Sequence, residues 1–522
     1  MKSKKKIYSL FYNFLIILFG LMMIGIVLVD LFVAGRSTRV QVRIHPLSNL
    51  SLLVIALFTL IVLIIFYKKL LKKYVDLLNK KQCSILLMFY FLVAFALQIF
   101  LIKKIFFLTG WDVGQLRCAA DQAAQGLKFQ SGNEYNYYFS FYPNNVFILF
   151  ISTIITKVAY IIGMDSHLLL SIVGALSVNV SIILLVKIVG LITHNKHLCV
   201  LAIFISTIFI MFTPWIIIPY SDTYAMFFTT VVLYVYLNKD NLNKYVSAFF
   251  IVLFAFIGYK VKPTVIIVLI AIILIEVWKN LFNLKNIKLK EVGKCSISLI
   301  AAMAIFLSIS SISNSYLEYE KNTSNEMPLT HFLMMGMNPI ARGGYSQDDV
   351  DFTQSHIGLY NKTSANMKVV KRRLREYGII GYSQLLIDKS IRNYNDGSFA
   401  WGGEGNFYLV VNEDNSRGTT LLRNIFYNEG KYYQLFETFL QSVWILILFF
   451  NIFSLKNIRN YKLLVIPLSI IGITIFLLLF ESRARYLLLY APFYIILFVI
   501  GMNNIINMVN IKLENNSKIQ EV

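Results

Sequence analysis

Twelve long apolar runs are the feature that most limits what this chain can fold into. Each run can cross about 30 Å of hydrocarbon as a helix that rises about 1.5 Å per residue. The runs cover residues 8–33, 50–67, 84–108, 167–191, 198–218, 223–238, 245–260, 263–281, 295–313, 437–454, 461–480 and 486–507. Because 57% of the residues are hydrophobic and only 15% are charged, the sequence predicts an α-helical polytopic membrane protein.

The positive charge of the chain is confined to short connections between these runs. The net charge is +22, but residues 314–435 contain 13 acidic and 13 basic residues and are therefore neutral. The Lys-rich connections are 1–6, 68–81, 194–197, 238–244, 279–294, 456–462 and 512–518. Lys and Arg collect in the cytoplasmic loops of membrane proteins, so this pattern argues against a nucleic-acid partner and places both termini in the cytoplasm.

A thirteenth apolar run, 144–164, bears on the number of membrane spans. If it crossed the membrane, every later connection would invert and the basic 279–294 loop would face outward, against the positive-inside rule. We therefore predict twelve spans, with 144–164 an interfacial or re-entrant helix; a thirteenth true span is the alternative.

This topology divides the chain into four regions. They are an N-terminal transmembrane hairpin with a basic loop (1–83), a transmembrane core (84–313) with a first outer loop (109–166), a small extracytoplasmic mixed domain (314–436), and C-terminal transmembrane helices with a cytoplasmic tail (437–522). The first apolar run lacks a small-residue cleavage site, so a retained helix is expected rather than a signal peptide. High Ile, Lys and Asn usage indicates a bacterial plasma membrane.

Four short polar motifs stand at the outer ends of the predicted spans. They are Trp111-Asp112, Asp222 in "PYSDT", Lys260 and Lys262 before Pro263, and Glu481, Arg483 and Arg485 before Tyr486. Any one of them could simply mark the membrane interface or cap a helix. Together they place two acids and several cations on the leaflet where cations are disfavoured, which indicates an anionic partner there.

This combination suits the transfer of a sugar from a lipid-linked phosphate. Phosphate leaves with the bonding electrons, so cations or a divalent metal ion are needed to stabilise it. Arginine holds phosphate oxygens with two parallel hydrogen bonds, and a positioned carboxylate takes the proton of the acceptor hydroxyl. No set of metal ligands is evident, so the sequence predicts no definite cofactor and leaves a divalent cation open.

The segment 314–436 adds further candidates. Its basic stretch, 368–394, is predicted to be a helix broken at Gly378, and "KRRLRE" within it is typical of a solvated face or an anionic-lipid contact. The Gly-rich "GSFAWGGEG" predicts a loop near the membrane entrance. In that loop Glu404 is a candidate substrate contact, and Trp401 either stacks on a sugar ring or anchors the loop.

These motifs resemble the GT-C superfamily of polytopic glycosyltransferases, which includes protein O-mannosyltransferases and lipid A aminoarabinose transferases. The likeness is carried by Asp112 in the first large outer loop, Tyr142-Pro143 before an interfacial helix, Asp222, Lys262-Pro263 and the late Arg483-Ala484-Arg485-Tyr486. Members of this superfamily use polyprenyl-phosphate sugars on the outer or lumenal face.

The resemblance implies a role for each matching residue. Asp112 would be the catalytic base or would orient the acceptor, and Asp222 would position sugar or metal. The donor phosphate would be held by Lys262, Arg483 and Arg485. Two features depart from the family pattern: a helical hairpin (8–67) precedes the core, and a second acid beside the first is matched only loosely by Asp121 or Glu134.

The expected activity is thus an inverting transfer from a polyprenyl-phosphate sugar to a cell-envelope glycan, lipid or protein. The alternatives are a flippase or transporter for a lipid-linked saccharide and a polysaccharide polymerase or ligase. A transporter would favour charges at mid-membrane depth and repeated, broken helices. The sequence hardly distinguishes a polymerase or ligase from the expected glycosyltransferase.

Overall fold

The computed structural model describes residues 2–36, 45–128, 134–281, 289–456 and 460–520, and helices dominate them. The helices before the first long outer connection are α1 (Lys2–Phe32), α2 (Asn49–Phe66), α3 (Lys72–Leu77) and α4 (Lys80–Lys104). Those up to residue 317 are α5 (Asp112–Ala124), α6 (Glu134–Phe141), α7 (Val146–Ile161), α8 (Ser166–Thr193), α9 (Lys196–Ser206), α10 (Ser221–Leu237), α11 (Lys244–Val261), α12 (Ile266–Leu281) and α13 (Leu289–Leu317). The remaining ones are α14 (Leu329–Met335), α15 (Gln347–Gln354), α16 (Leu359–Tyr394), α17 (Arg417–Phe426), α18 (Tyr433–Asn451), α19 (Val465–Leu479) and α20 (Ala491–Gln520). Two short strands, β1 (Phe107–Leu108) and β2 (Val410–Val411), pair antiparallel.

Polar residues fix the starts of several long helices. Asn79 and Gln82 form a capping box at the start of α4, and the Asp165 side chain accepts a hydrogen bond from the Leu168 amide at the start of α8. Pro263 is the first residue of the short helical turn that leads into α12, a position where proline needs no amide partner. These caps satisfy amides that the first turn of a helix leaves without partners.

Ten of the described helical segments are long and apolar enough to cross a membrane. The predicted spans 198–218, 223–238 and 263–281 are shorter helices, whereas Pro143–Ile161, expected not to span, is among the ten. The helical polytopic class is therefore confirmed, and length alone does not decide which apolar helices cross.

Side-chain contacts sort the helix ends into two groups. We call the first group the basic end. There the Tyr67 hydroxyl lies 2.7 Å from His197 Nδ1, and Lys239 Nζ lies 2.5 Å from a Glu276 carboxylate oxygen. Lys462 also pairs with Asp240 there. The basic end therefore joins the Lys-rich connections.

The opposite group of helix ends, the Asp112 end, includes both ends of α7. Ser166 and Tyr160, which flank the turn after α7, donate hydrogen bonds to Asp121 of α5 at 2.9 and 3.2 Å. At the start of α7, Asn145 donates to the Tyr138 hydroxyl at 2.9 Å. Tyr138 in turn hydrogen-bonds to Asp112, so the start of α7 lies near the start of α5 and its end lies near Asp121.

The segment 314–436 is more helical than the mixed domain expected from sequence. Helices α14 to α17 account for about half of it, and its strand β2 pairs with β1 of the first outer loop rather than within the segment. Helix α16 is broken at Gly378, where φ is +56°. That backbone conformation is open mainly to glycine, so the predicted break is confirmed.

Candidate functional site

The β1–β2 pair brings the Gly-rich loop against the first outer loop. Phe107 pairs with Val411, and the Gly110 amide donates to the Asn406 carbonyl at 2.9 Å. A side chain at Gly110 would stand 3.0 Å from the Asn406 Cβ, so this close approach favours glycine. The pairing fixes the loop that carries Glu404 beside the residues that follow Gly110.

Trp401 anchors this loop and does not face a substrate. Its side chain is fully buried, its Nε1 donates to the Phe426 carbonyl at 2.7 Å, and its ring meets Trp215 edge-to-face at 5.4 Å. Of the two roles expected for Trp401, the structure supports anchoring of the loop rather than stacking on a sugar ring. Phe107 and Phe407 also meet the indole edge-to-face, at centroid distances of 5.9 and 4.8 Å.

Six charged side chains from distant parts of the sequence form what we call the ion-pair cluster. Its members are Asp222, Lys262, Glu404, Glu481, Arg483 and Arg485. Asp222 receives Lys262 Nζ at 2.5 Å on one oxygen and Arg485 Nη1 at 3.3 Å on the other. Asp222 is 1% exposed, so these two cations replace its lost hydration.

Glu404 links the two arginines of the cluster. Arg485 Nε lies 2.9 Å from one Glu404 oxygen, and Arg483 pairs with the other oxygen. Burial acts to raise the pKa of Glu404, but the guanidiniums of Arg485 and Arg483 hold it below its usual value. Arg483 also reaches Glu481 at 2.7 Å. The Gly-rich loop thus supplies a carboxylate that orients both arginines.

Aromatic rings enclose the arginine at the centre of the cluster. The Arg485 guanidinium lies 4.4 Å from the Trp111 ring centroid, 5.3 Å from that of Tyr220 and 5.4 Å from that of Tyr486. Lys262 Nζ also lies 4.4 Å from the centroid of the Tyr486 ring. These cation–π contacts hold the charges in a desolvated position.

Asp112 stands beside the ion-pair cluster without being part of it. It is the first residue of α5 and half-buried, and the Tyr220 hydroxyl donates to its Oδ2 at 3.1 Å. Among the described residues no cation lies within 4.0 Å of its carboxylate. The other three carboxylates of the site are held by cations, so Asp112 is the one free to accept a proton from a bound molecule.

Two tyrosines line the approach to Asp112. Burial raises the pKa of the Tyr138 hydroxyl well above its usual value, and the negative charge of Asp112, to which it hydrogen-bonds, raises it further. Burial and the charge of Asp112 also raise the pKa of Tyr142. Both hydroxyls therefore stay protonated and available as hydrogen-bond donors.

Two predicted site residues lie elsewhere. Asp121 is engaged by Ser166, Tyr160 and Arg117 on the far part of α5. Lys260 points to the Phe306 ring, 5.9 Å from its centroid, and is not in the ion-pair cluster. The expected roles of these two in substrate binding find no support in the geometry.

Lys389 is a residue of the site that the sequence did not indicate. It is fully buried, and its Nζ donates to the Phe480 carbonyl at 2.7 Å and to the Gly336 carbonyl at 2.9 Å. It therefore fixes the turn that carries Glu481 and Arg483. A lysine in the middle of a basic helix gives no sequence signal of burial, whereas Tyr220 could have been found by its place two residues before Asp222.

The buried Lys389 predicts a pH-dependent stability. Burial lowers the pKa of Lys389 to about 7, below the value of about 10.4 in an unfolded chain. At pH values between these two pKa values, Lys389 is protonated in the unfolded chain and neutral in the folded protein. The free energy of unfolding therefore rises with pH, by about 2 kcal/mol from pH 7 to 9 for this group. Lys389→Met should lose that increment in thermal unfolding of the purified protein.

Lys371→Met is the control for this experiment, because Lys371 is exposed on the same helix. It should retain the wild-type difference in unfolding midpoint between the two pH values. An unchanged pH difference in Lys389→Met would show that Lys389 is charged in the folded protein.

The charges of the site define what it can do. Asp112 and the three carboxylates of the ion-pair cluster face three cations, each of which already has a carboxylate partner. A phosphate ligand would therefore bind by exchange with a carboxylate. The described residues contain no group of three or more His, Cys, Asp or Glu side chains arranged to hold a metal ion.

Comparison with known proteins places the chain by family only. A family described as "Conserved hypothetical integral membrane protein" matches residues 1–506. No curated protein and no solved structure matches the chain.

Proposed function

The chain belongs to this family of conserved hypothetical integral membrane proteins, and within it we propose an extracytoplasmic glycosyltransferase of the GT-C type. The reaction would move a sugar from a polyprenyl-phosphate donor to a hydroxyl of a cell-envelope acceptor. One observation carries the proposal: Asp112, which has no cation partner among the described residues, stands next to the ion-pair cluster with its three cations. A base and a phosphate-stabilising group are the two parts that this transfer needs.

Asp112 acts as the general base. The acceptor oxygen attacks the anomeric carbon while its proton passes to the Asp112 carboxylate. The bond from that carbon to the phosphate oxygen breaks on the opposite side, and the electron pair stays on the phosphate. The Tyr220 hydroxyl, 3.1 Å from Asp112, holds the carboxylate in place for this step.

The arginines receive the leaving phosphate. Arg483 is the most exposed of the three cations, with 21% of its side chain accessible, against 8% for Lys262 and 4% for Arg485. Arg483 pairs with both Glu404 and Glu481. A phosphate would therefore displace a carboxylate from Arg483 first, because Arg483 keeps its second carboxylate. Arg485 and Lys262 then stabilise the growing negative charge from behind.

We further propose twelve membrane crossings with the Asp112 end outside. The contacts at the basic end join connections that the positive-inside rule assigns to the cytoplasm. The end of α7 contacts Asp121 of α5, and Asn145 before its start contacts Tyr138, which hydrogen-bonds to Asp112. These contacts support an interfacial position for α7. The shorter helices α9, α10 and α12 are then true crossings that rely on their neighbours for burial.

Thiol labelling in intact cells tests this topology. In a chain whose Cys83, Cys118, Cys199 and Cys295 are replaced by serine, single cysteines are placed at Asn322, Ile162 and Asn241, all exposed. A membrane-impermeant maleimide should label Asn322→Cys and Ile162→Cys but not Asn241→Cys, which adjoins the basic end. Labelling of Ile162→Cys only after cell lysis would mean that α7 crosses the membrane.

The activity itself is tested by transfer from synthetic polyprenyl-phosphate sugars. Purified protein is incubated with a panel of such donors and a cell-envelope fraction, and the label that enters the acceptor is measured. Transfer that is equal with and without the protein for every donor would contradict the proposed function.

A further inference from the structure

A cleft of about 780 Å³ lies between α15 and the first half of α16, outside the ion-pair cluster. Its walls carry polar and charged side chains together with a few apolar ones. Those that matter for binding are Asp348, Phe352, His356, Asn361, Lys368 and Arg372. The volume is in the range of sites for small ligands, which measure about 300–1,000 Å³.

One wall of the cleft is built on a buried ion pair. Arg373 donates to both oxygens of Asp349, at 2.7 and 2.9 Å, and to the Met334 carbonyl at 2.7 Å. Asn338 donates to the same carboxylate at 3.0 Å. Because Asp349 is 4% exposed, this group is rigid and its two charges neutralise each other.

The remaining charges of the cleft favour an anion. Lys368 and Arg372 lie one helical turn apart on α16, and both are exposed. Arg372 meets Glu376 at 3.7 Å, but about two thirds of each side chain is exposed, and such surface pairs contribute little. Asp348 is the one acid left on the opposite wall, so the cleft has an excess of positive charge.

The other lining groups suit a saccharide. Asn361 and the hydroxyls of Ser355 and Ser364 can hydrogen-bond to sugar hydroxyls. The rings of Phe352 and His356 lie 4.9 Å apart and offer an apolar surface against which C–H groups can pack. A purely lipid-binding surface would not need these hydrogen-bonding groups.

The cleft is connected to the ion-pair cluster through the loop 337–346. Asn338, which binds Asp349, begins this loop, and the Gly343 carbonyl accepts from the Ser482 amide at 2.8 Å. Tyr345 lies under the Arg483 guanidinium, 5.5 Å from its ring centroid. A molecule bound in the cleft would thus lie on the same side of the protein as Arg483.

We infer that the α15–α16 cleft binds an anionic saccharide, whose phosphate or carboxylate contacts Lys368 and Arg372. We assign this saccharide as the acceptor of the transfer reaction, and this assignment rests on the proposed glycosyltransferase function. The binding itself does not depend on catalysis and can be measured without a donor.

The experiment compares charged and neutral forms of one sugar chain. Maltoheptaose, phosphorylated maltoheptaose and oligogalacturonate are titrated onto the full chain in detergent, and binding is followed by calorimetry. We expect the two anionic probes to bind at least tenfold more tightly than maltoheptaose. The double variant Lys368→Gln, Arg372→Gln should lose roughly tenfold in affinity for them.

The matched control is Lys371→Gln, Arg375→Gln. These residues are exposed on the same helix with the same spacing and carry the same charge, but they do not line the cleft. An equal loss in this control would show a general charge effect and overturn the inference. Equal affinity for charged and neutral probes, or binding to anionic lipid vesicles but not to the probes, would overturn it as well.

The two proposals fail separately. Anionic-probe binding without any transfer activity would retain the cleft and reject the glycosyltransferase. Transfer activity in a protein that does not bind the probes would retain the enzyme and reject the cleft as its acceptor site.

Discussion

Asp112→Asn should lower the rate of sugar transfer by roughly two to four orders of magnitude, the usual loss when a general base is removed. The asparagine can still accept the Tyr220 hydrogen bond through its carbonyl oxygen, so the local structure should be kept. Because Asp112 has no cation partner among the described residues, the substitution leaves no buried charge uncompensated. The rate is measured by transfer from the donor panel, and folding by thermal unfolding.

Asp121→Asn is the matched control on the same helix. Asp121 lies nine residues after Asp112, and its carboxylate is held by Ser166, Tyr160 and Arg117. We expect this variant to keep its transfer rate within a few fold. A folded Asp112→Asn protein with near-normal turnover, or a larger loss in Asp121→Asn, would show that Asp112 is not the base.

The helical architecture was predictable because each span is a local property of the sequence. The apolar runs, the break at Gly378 and the helical turn at Pro263 are all local features of the sequence, and the structure has helices and a break at these places. The number of crossings is not local in the same way. Helix α7 is as apolar as a span, and what argues for its placement is the contact of its last turn with Asp121 of α5 and of the preceding Asn145 with Tyr138, which hydrogen-bonds to Asp112.

The site was predictable where charges stand at the ends of spans. Asp222, Lys262, Arg483 and Arg485 meet in the ion-pair cluster as expected, because a charge beside an apolar run needs a partner. Lys260 shows the limit of this reasoning. It is two residues from Lys262, yet the turn before Pro263 points it toward Phe306 instead.

The roles of residues in the outer segment 314–436 could not be predicted from sequence, because tertiary contacts decide them. A tryptophan in a Gly-rich loop has the same sequence signature whether it faces a sugar or anchors the loop. The β1–β2 pairing decides between these roles, because it buries Trp401 and presents Glu404 to the arginines. Lys389 was missed for a related reason: its two carbonyl partners come from positions 53 and 91 residues away.

Arg485→Met should destabilise the folded protein by about 3–5 kcal/mol, the range for removing one partner of a buried ion pair. Arg485 is 4% exposed and serves both Asp222 and Glu404. Its loss leaves Asp222 with Lys262 alone and Glu404 with Arg483 alone. The change is measured as a lower midpoint of thermal unfolding, and transfer activity should be lost with it.

A second substitution separates the structural role of Arg485 from its role in catalysis. In the double variant Arg485→Met, Glu404→Gln, the carboxylate that has lost one of its two cations is removed, so part of the lost stability should return. Transfer should stay abolished, because the cation that stabilises the leaving phosphate is still missing. Arg375→Met, at an exposed position on α16, should change neither property. If the double variant regained activity together with stability, Arg485 would be a structural residue and the phosphate would have to be held by Lys262 and Arg483 alone.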